Sequence, residues 1–489
     1  MIIEETKKII ESLSMNEKRY FKLFVNKNIF GNQNKYLMLF DIFNNFTDID
    51  EQLLKKHINE HQFSDKNVSY DLNYLNKLIL RSLNEFHYEK TVSLKLQNLI
   101  KSVEILFYKG LYEECLRIIQ KAKKLNSKNE NEILMLELLN WEKKCMGYSK
   151  GFQGAMSVNK KIDEYFNSIK RNRTIVDLYY HSYYLKNSTG KIALEKIISE
   201  FEQIIQHPLI VDHKELLTST QPRIFKELIF ANYFHVLQQT ANELKHLEKA
   251  IEIYDEQVFY KQENPLDYIS VYTRIIDIYK KSDDATFYNK IEGLRQFDSI
   301  LDFQKNVALE RIFFHTYLAE LEHLVYNNQF QEGLQMMQHI VKQINTNKFN
   351  IEPYYYIGMY YQFACITLIT KNLSQSLKHI NYILNEFDFN DRPNTFIKAE
   401  ILNIIIHFEL KNYKLVLHNL NSFKKKYTKT FKINALEKKI LKLIEAISND
   451  PYLKKTSIEF ANLHKKIVQM EIEKTNSNLI YLNYILSKK

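Results

Sequence analysis

The sequence predicts an all-helical fold in which antiparallel helix pairs stack into an α-solenoid. Apolar residues recur at helical spacing almost throughout the 489 residues, and the strict alternation of strands is essentially absent. Only nine glycines and six prolines occur, too few for many strands, hairpins and phosphate-binding loops. Hydrophobic residues make up 45% of the chain, which is ample material for an extended core.

A helical-hairpin motif repeats along the chain. In its best copy Tyr112 follows the turn at 109–111, the small residue Cys115 comes three positions later, and Ile119 comes four after that. The aromatic residue starts the second helix, the small residue lets the two helices approach closely, and the apolar residue fills the groove one turn along. Such pairs cannot bury their outer faces alone, so they stack. Further copies are Phe330 with Gly333 and Met337, Leu373 with Ser376 and Ile380, and Leu247 with Ala250 and Tyr254.

The motif resembles the second-helix half of the tetratricopeptide repeat, with its best match at Tyr112, Cys115, Ile119 and Ala122. The first-helix positions, which hold an aromatic residue, leucine, glycine and tyrosine in that family, are Leu99, Ser102, Val103 and Leu106 here. Second helices are expected to start near Tyr112, Phe152, Ile192, Leu247, Phe287, Phe330, Leu373 and Tyr413. The resemblance covers residues 91 to 430 and implies a right-handed solenoid. Because the spacing is about 40 residues rather than about 34, a two-helix repeat of the HEAT kind is the alternative.

Three regions are expected along the chain. Residues 1–90 do not follow the repeat and predict a small helical domain, with helices at 3–12, 15–27, 34–46, 50–61 and 67–88. Residues 91–448 form the solenoid, with a loop insertion between His207-Pro208 and Gln221-Pro222. Residues 449–489 supply capping helices, the last at 479–486, because a solenoid must cover its final apolar face.

The cysteines and the first residues of the chain predict a cytoplasmic protein. Cys115, Cys145 and Cys365 lie far apart in apolar helical stretches, which favours free thiols in a reducing compartment. Residues 1–8 carry charge and no apolar core, unlike a signal peptide. The uncharged segment 353–370 contains five tyrosines and a glutamine, so a buried solenoid helix is favoured over a membrane span. No membrane partner is expected.

One motif invites a catalytic interpretation. His57, Glu60 and His61 match the HxxEH pattern of zinc peptidases, in which both histidines bind the metal and the glutamate activates water. Those enzymes build their cleft partly from strands, which this sequence does not predict. No phosphate-binding loop, nucleophile elbow or Cys/His zinc ribbon occurs either. We therefore expect a coincidental match, no metal or other cofactor, and no enzyme activity.

Nucleic-acid binding is the principal alternative function. The segments 51–60 and 68–83 predict two helices around a short turn, in which Lys66, Asn67, Lys77 and Arg81 could meet a phosphate backbone. Packing of Leu72, Leu75, Ile79 and Leu83 in a helical cap is the competing explanation. The net charge of +10 supports nucleic-acid binding only weakly, since ten of the 68 basic residues are arginine. The run Lys424, Lys425 and Lys426 is either a solvated helix face or a patch for an acidic partner.

The favoured function is a non-catalytic scaffold for another protein. In tetratricopeptide-like proteins the first helices line a concave groove that receives a peptide or helix, and the resemblance implies the same here. Tyr360 is expected to point between helices, and Tyr361, about 100° around the helix, is expected to face the groove. The candidate partner-binding residues are Ile100, Glu104, His315, Leu318, Tyr361, Ile401, Ile405, Lys424, Lys425 and Lys426.

Overall fold

The computed structural model describes residues 2–27, 35–46, 49–61, 67–127, 130–188, 193–211, 219–297, 304–347, 352–427, 435–449 and 462. All regular secondary structure within these ranges is helical, which confirms the predicted all-α class. The chain divides into two compact units, residues 1–169 and 170–489. The predicted boundaries near 90 and 448 stay predictions, and most of the expected capping region lies outside the described residues.

The first unit contains seven complete helices and the start of an eighth. They are α1 (Ile2–Ser12), α2 (Met15–Lys27), α3 (Lys35–Asn45), α4 (Glu51–Glu60), α5 (Val68–His87), α6 (Val92–Tyr108), α7 (Tyr112–Asn126) and α8 (Glu132–Asn187). The path of α8 breaks at Gly151, whose φ of 71° is non-helical. The first five helices match the predicted bounds within one residue at each end.

The N-terminal core forms where α5 packs against α1, α2 and α3. Leu72, Leu75 and Ile79 are fully buried on the inner face of α5. The capping box at the start of α2 is present: the Glu17 carboxylate accepts from the Ser14 amide at 2.6 Å, and the Ser14 hydroxyl accepts from the Glu17 amide at 3.3 Å. These local signals explain why the helix bounds of this region were predictable.

The second unit begins within α8, at Lys170. Its helices are α9 (Leu194–Ile205), α10 (Pro208–Val211), α11 (Thr220–Val236), α12 (Thr240–Glu256), α13 (Val258–Glu263), α14 (Pro265–Tyr279), α15 (Asp284–Arg295), α16 (Lys305–Tyr326), α17 (Phe330–Asn347), α18 (Pro353–Ile369), α19 (Leu373–Glu386), α20 (Pro393–Glu409), α21 (Tyr413–Tyr427) and α22 (Ala435–Asn449), with a 3₁₀ turn at Phe389–Asp391.

Successive helices of this unit form hairpins that pack on one another. The helix α18 contacts α16, α17, α19 and α20, and α20 in turn contacts α19, α21 and α22. Residues 361–368 of α18 are all buried, so this uncharged helix is enclosed by protein. No helix among the described residues is long and apolar enough to cross a membrane. The dense helix–helix contacts are compatible with a helical-repeat solenoid.

Five hairpins share one turn geometry. The residue two positions before the second helix has positive φ in each: Gly110, Gln238, Asn328, Lys371 and Lys411. Its amide donates to a carbonyl three residues back, and the next amide donates to a carbonyl five residues back, as from Lys371 to Leu368 and from Asn372 to Thr367 at 3.0 and 2.8 Å. This pair of bonds is the Schellman motif, which closes the first helix of each hairpin.

The small residue of the predicted motif has the expected role. The Cys115 thiol donates to the Val103 carbonyl at 3.4 Å, and the Ser376 hydroxyl donates to the Ala364 carbonyl at 2.8 Å, so both reach the backbone of the first helix. Close approach of the two helices of a hairpin therefore depends on this position in two hairpins. Gly333 serves a different contact, because a Cβ there would lie 3.0 Å from the Ile366 side chain of α18, the first helix of the next hairpin.

Some predicted helix starts are wrong. The helix α12 begins at Thr240, seven residues before Leu247, and α15 begins at Asp284 rather than Phe287. A helical segment does begin at Phe152, but that side chain is 79% exposed and fills no turn. The predicted start at Ile192 lies outside the described residues. The predicted loop insertion near Pro208 contains the short helix α10.

All three cysteines are buried free thiols. Burial raises the pKa of Cys145 and of Cys365 to about 12, so neither forms a thiolate near neutral pH. We expect Ellman's reagent to label no cysteine of the folded protein at about pH 8 and all three after denaturation. Rapid labelling of the native protein, measured by absorbance, would contradict this burial.

Candidate binding grooves between second helices

Five of the predicted groove residues lie in the core. Ile401 and Ile405 are fully buried, and Tyr361, Ile100 and Leu318 are 4%, 6% and 8% exposed. The expectation that these side chains line an open groove is therefore wrong. The physical reason in the second unit is that first helices pack against one another, α16 on α18 and α18 on α20, and this contact uses the face that was expected to be open.

The other predicted residues are more accessible. Glu104 is exposed on α6, whereas His315 is half-buried and its Nε2 lies 3.0 Å from the Tyr355 hydroxyl. Burial lowers the pKa of His315 to about 4, so its ring is neutral at pH 7. Lys424 pairs with Glu445 at 2.5 Å and Lys426 with Glu400 at 2.9 Å, while Lys425 is exposed. Their role in partner binding stays a prediction.

An open groove lies between the second helices α17 and α19. Each of these helices packs on α18, and a cavity of about 930 Å³ opens between them above the ring of Tyr360. We call it the α17/α19 groove. It is lined by Met337, Gln338, Val341, Lys342, Asn345 and Thr346 of α17, by Tyr360 of α18, and by Gln375, Lys378, His379, Asn381, Tyr382, Asn385 and Glu386 of α19.

Apolar and aromatic groups form the base of this groove. Tyr360 stacks obliquely on Tyr382 with ring centroids 4.4 Å apart, and Met337 and Val341 face them from α17. Val341 and Tyr382 are each 36% exposed. The apolar base therefore presents accessible surface that a ligand side chain could bury.

One buried polar atom in the groove lacks a partner. The side chain of His379 is buried, with 9% of the residue exposed. Its Nε2 atom is buried as well and makes no hydrogen bond. Burial, followed by the charge of Lys378, lowers the pKa of this histidine to about 4, so the ring is neutral at pH 7. A buried polar group without a partner costs free energy in the folded state.

Amide side chains surround the apolar base. Gln338, Asn345, Gln375, Asn381 and Asn385 all line the groove. A carboxamide carries both a hydrogen-bond donor and an acceptor, which matches the N–H and C=O groups of a peptide backbone. The groove thus combines apolar surface for a side chain with polar groups for a main chain.

A second groove lies one hairpin earlier, between α15 and α17. The first residues of α17 and α19, Phe330 and Leu373, are 43 positions apart. At the same separation Tyr317 corresponds to Tyr360 and His339 corresponds to Tyr382, so the two grooves occupy equivalent places in successive hairpins. The α15/α17 groove is a cavity of about 470 Å³. It is lined by Asp284, Tyr288 and Arg295 of α15, by Tyr317, Glu320 and Leu324 of α16, and by Gln329, Glu332, Gln335, Met336 and His339 at α17.

This second groove is charged rather than apolar. Arg295 makes two hydrogen bonds to Glu320, at 3.1 and 2.5 Å, and its guanidinium lies 4.6 Å from the centre of the Tyr317 ring. Burial raises the pKa of Glu320, against the opposing effect of Arg295. Two further carboxylates, Asp284 and Glu332, are exposed at the edge.

The candidate zinc motif has a local structural role. His57 Nδ1 lies 3.1 Å from the Glu60 carboxylate, and the His57 ring packs on Phe46 at 5.0 Å. His61 Nδ1 lies 2.9 Å from the His57 carbonyl at the end of α4. In the described part of the chain no group of three or more potential ligands is placed to hold a metal ion.

The proposed DNA-reading segment is only partly described. Lys77 and Arg81 are exposed on α5, whereas Lys66 and the turn at 62–66 lie outside the described residues. Nucleic-acid binding by this region remains an untested prediction.

Sequence reasoning missed the residues that line the two grooves. Met337, His379 and Tyr382 lie on second helices, whereas the resemblance directs attention to first helices. The sequence did contain one signal for the grooves. The starts of α17 and α19 are 43 positions apart, and residues with aromatic or imidazole rings recur at that same separation. Comparison with protein-family models, curated proteins and solved structures finds no match to this chain.

Proposed function

We propose that this protein is a non-catalytic scaffold that binds an extended segment of another protein in the α17/α19 groove. The observation that carries the proposal is the pairing of an accessible apolar base, formed by Tyr360, Tyr382 and Val341, with five amide side chains around it. Its volume of about 930 Å³ lies within the range of ligand pockets, roughly 300–1,000 Å³.

The polar groups favour an extended peptide over a helix. An extended segment exposes backbone N–H and C=O groups that need partners, and the surrounding carboxamides supply both kinds. A bound helix would satisfy those groups itself. One aliphatic or aromatic anchor side chain would enter the base, where its burial contributes about 1.5–3 kcal/mol.

The finer features of the fold and its location belong to the same proposal. Contacts between successive hairpins support a tetratricopeptide-like stack, and the right-handed sense is what the resemblance to that family implies. The three buried free thiols support a reducing compartment, and hence the cytoplasm.

The proposal is tested by selecting binders from a phage-displayed library of random dodecapeptides on the full-length protein. We expect enriched peptides to share an apolar anchor and to bind Val341→Arg at least about tenfold more weakly than the unaltered protein, because a hot-spot contact contributes about 1–3 kcal/mol. Affinities are measured by fluorescence anisotropy.

The matched control is Leu415→Arg. Leu415 is 41% exposed on the second helix α21, lines neither groove, and receives the same change of charge with a similar increase in size. Peptides should bind this variant with unchanged affinity. Enrichment of no peptide, or equal binding to Val341→Arg and the unaltered protein, would overturn the proposed function.

A further inference from the structure

The two grooves lie on opposite flanks of one helix. Glu332 and Met336 of α17 line the α15/α17 groove, whereas Met337 and Val341 line the α17/α19 groove. Gln335 belongs to the first groove and Gln338 to the second, and residues three apart on a helix are neighbours on its surface. These two exposed glutamines therefore join the grooves across the outer face of α17.

The distance between the grooves suits a short peptide. A helix with its side chains is about 10–12 Å across, and an extended chain advances about 3.3 Å per residue. An extended segment of about three to four residues therefore reaches from one groove to the other. Gln335 and Gln338 offer it backbone hydrogen-bond partners on the way.

The α15/α17 groove has an excess of negative charge. Three carboxylates, of Asp284, Glu320 and Glu332, line it with one guanidinium, that of Arg295, which is already paired with Glu320. His339 also lines the groove, and Asp284 contacts the Nε2 of the buried His323 at 2.9 Å, so Glu332 is the carboxylate most available to a ligand. Tyr288 lies among them: burial raises its pKa, Glu320, Asp284 and Glu332 raise it further, and Arg295 opposes them. The electrostatic potential in the α15/α17 groove therefore favours a positively charged group.

The α15/α17 groove already binds one cationic side chain of the protein itself, that of Arg295. Arg295 packs its guanidinium on the Tyr317 ring and bonds to Glu320. A lysine or arginine of a ligand would find similar groups nearby, since the Tyr288 ring and the exposed carboxylate of Glu332 line the same cavity.

The α17/α19 groove has the opposite preference. Lys342 and Lys378 line it, and the only acidic group among its lining residues is Glu386. Its buried His379 is neutral at pH 7, so it adds no charge to the apolar base. A basic residue is thus favoured in one groove and disfavoured in the other.

We infer that the two grooves form one bipartite site for a peptide that places a lysine or arginine in the α15/α17 groove and an apolar anchor, about three to four residues away, in the α17/α19 groove. This inference rests on the proposed function and specifies the class of segment that the scaffold accepts.

The test uses the peptides selected from the dodecapeptide library. We expect a lysine or arginine at a fixed offset from the apolar anchor, and about tenfold weaker binding when it is replaced by glutamine. Glu332→Lys should weaken binding of the unaltered peptides by about tenfold at low salt, because attraction becomes repulsion. Raising the salt concentration should narrow that difference.

The matched control is Glu252→Lys, an equal charge reversal at an exposed position on α12 that lines neither groove. Its affinity should change less than about twofold, and circular dichroism should show both variants folded. Peptides that lose affinity for Val341→Arg, but carry no basic residue and ignore Glu332→Lys, would overturn the bipartite site and leave the proposed function standing. If no peptide responds to Val341→Arg, both fall.

Discussion

Replacing Tyr361 with alanine is expected to lower the free energy of unfolding by about 3–5 kcal/mol, as loss of a buried aromatic side chain does. Tyr361 is 4% exposed and belongs to the core that α18 forms with its four neighbouring helices. The cavity left behind cannot close readily, because α18 is enclosed. Urea unfolding followed by circular dichroism measures the loss.

Tyr360→Ala is the comparison for that experiment. Tyr360 is half-buried at the base of the α17/α19 groove, so its removal should cost only about 1–2 kcal/mol and should weaken peptide binding instead. The sequence-based expectation is the reverse, with Tyr360 buried between helices and Tyr361 facing the groove. Equal losses of stability for both variants would contradict the burial described here.

Replacing Arg295 with methionine is expected to cost about 3–5 kcal/mol, because it leaves the Glu320 carboxylate buried without its partner. The side chain of Glu320 is 4% exposed and that of Arg295 is 26% exposed. The double variant Arg295→Met with Glu320→Leu should recover most of the loss, since it removes both charges. Urea unfolding of the single and double variants measures the coupling.

The pH dependence of Arg295→Met has a definite sign. Burial raises the pKa of Glu320, so its carboxyl group binds a proton more tightly in the folded protein than in the unfolded chain. Burying the ionised carboxylate therefore destabilises the folded state once the pH rises above the pKa of the unfolded chain. That pKa should rise further without Arg295. The deficit of the variant should therefore shrink as the pH falls from about 7 to about 5.

A surface ion pair provides the control. Arg223 and Glu256 lie 3.3 Å apart, and their side chains are 37% and 62% exposed. Arg223→Met should cost less than about 1 kcal/mol, because exposed pairs contribute little. Similar losses for Arg223→Met and Arg295→Met would show that burial of Glu320 does not determine the effect.

The helices of the N-terminal region were predictable because their signals are local. Ser14 and Glu17 cap α2, and Asp50 caps α4 by accepting from the Leu53 amide at 2.7 Å. The start of α12 was missed because its hairpin departs from the motif. Glu243 occupies the position of the small residue there, and Thr240 stands where the motif has an aromatic or large apolar residue.

The register of α18 could not be predicted, because the helix is apolar on every side. With no charged residue between Pro353 and Thr370, hydrophobicity distinguishes no face. An error of one residue then rotates the assignment by about 100°, which exchanges Tyr360 and Tyr361. The grooves were missed for a different reason: they arise from the separation of α17 and α19, which no single segment encodes.

The succession of packed hairpins has a consequence for how the second unit reaches its native state. The main packing partners of each helix from α11 to α22 lie only one or two helices away in sequence, so the unit has low contact order. Each hairpin can therefore pack on the hairpins already synthesised, before later helices leave the ribosome. The N-terminal core differs, because α1 must wait for α5 to be translated.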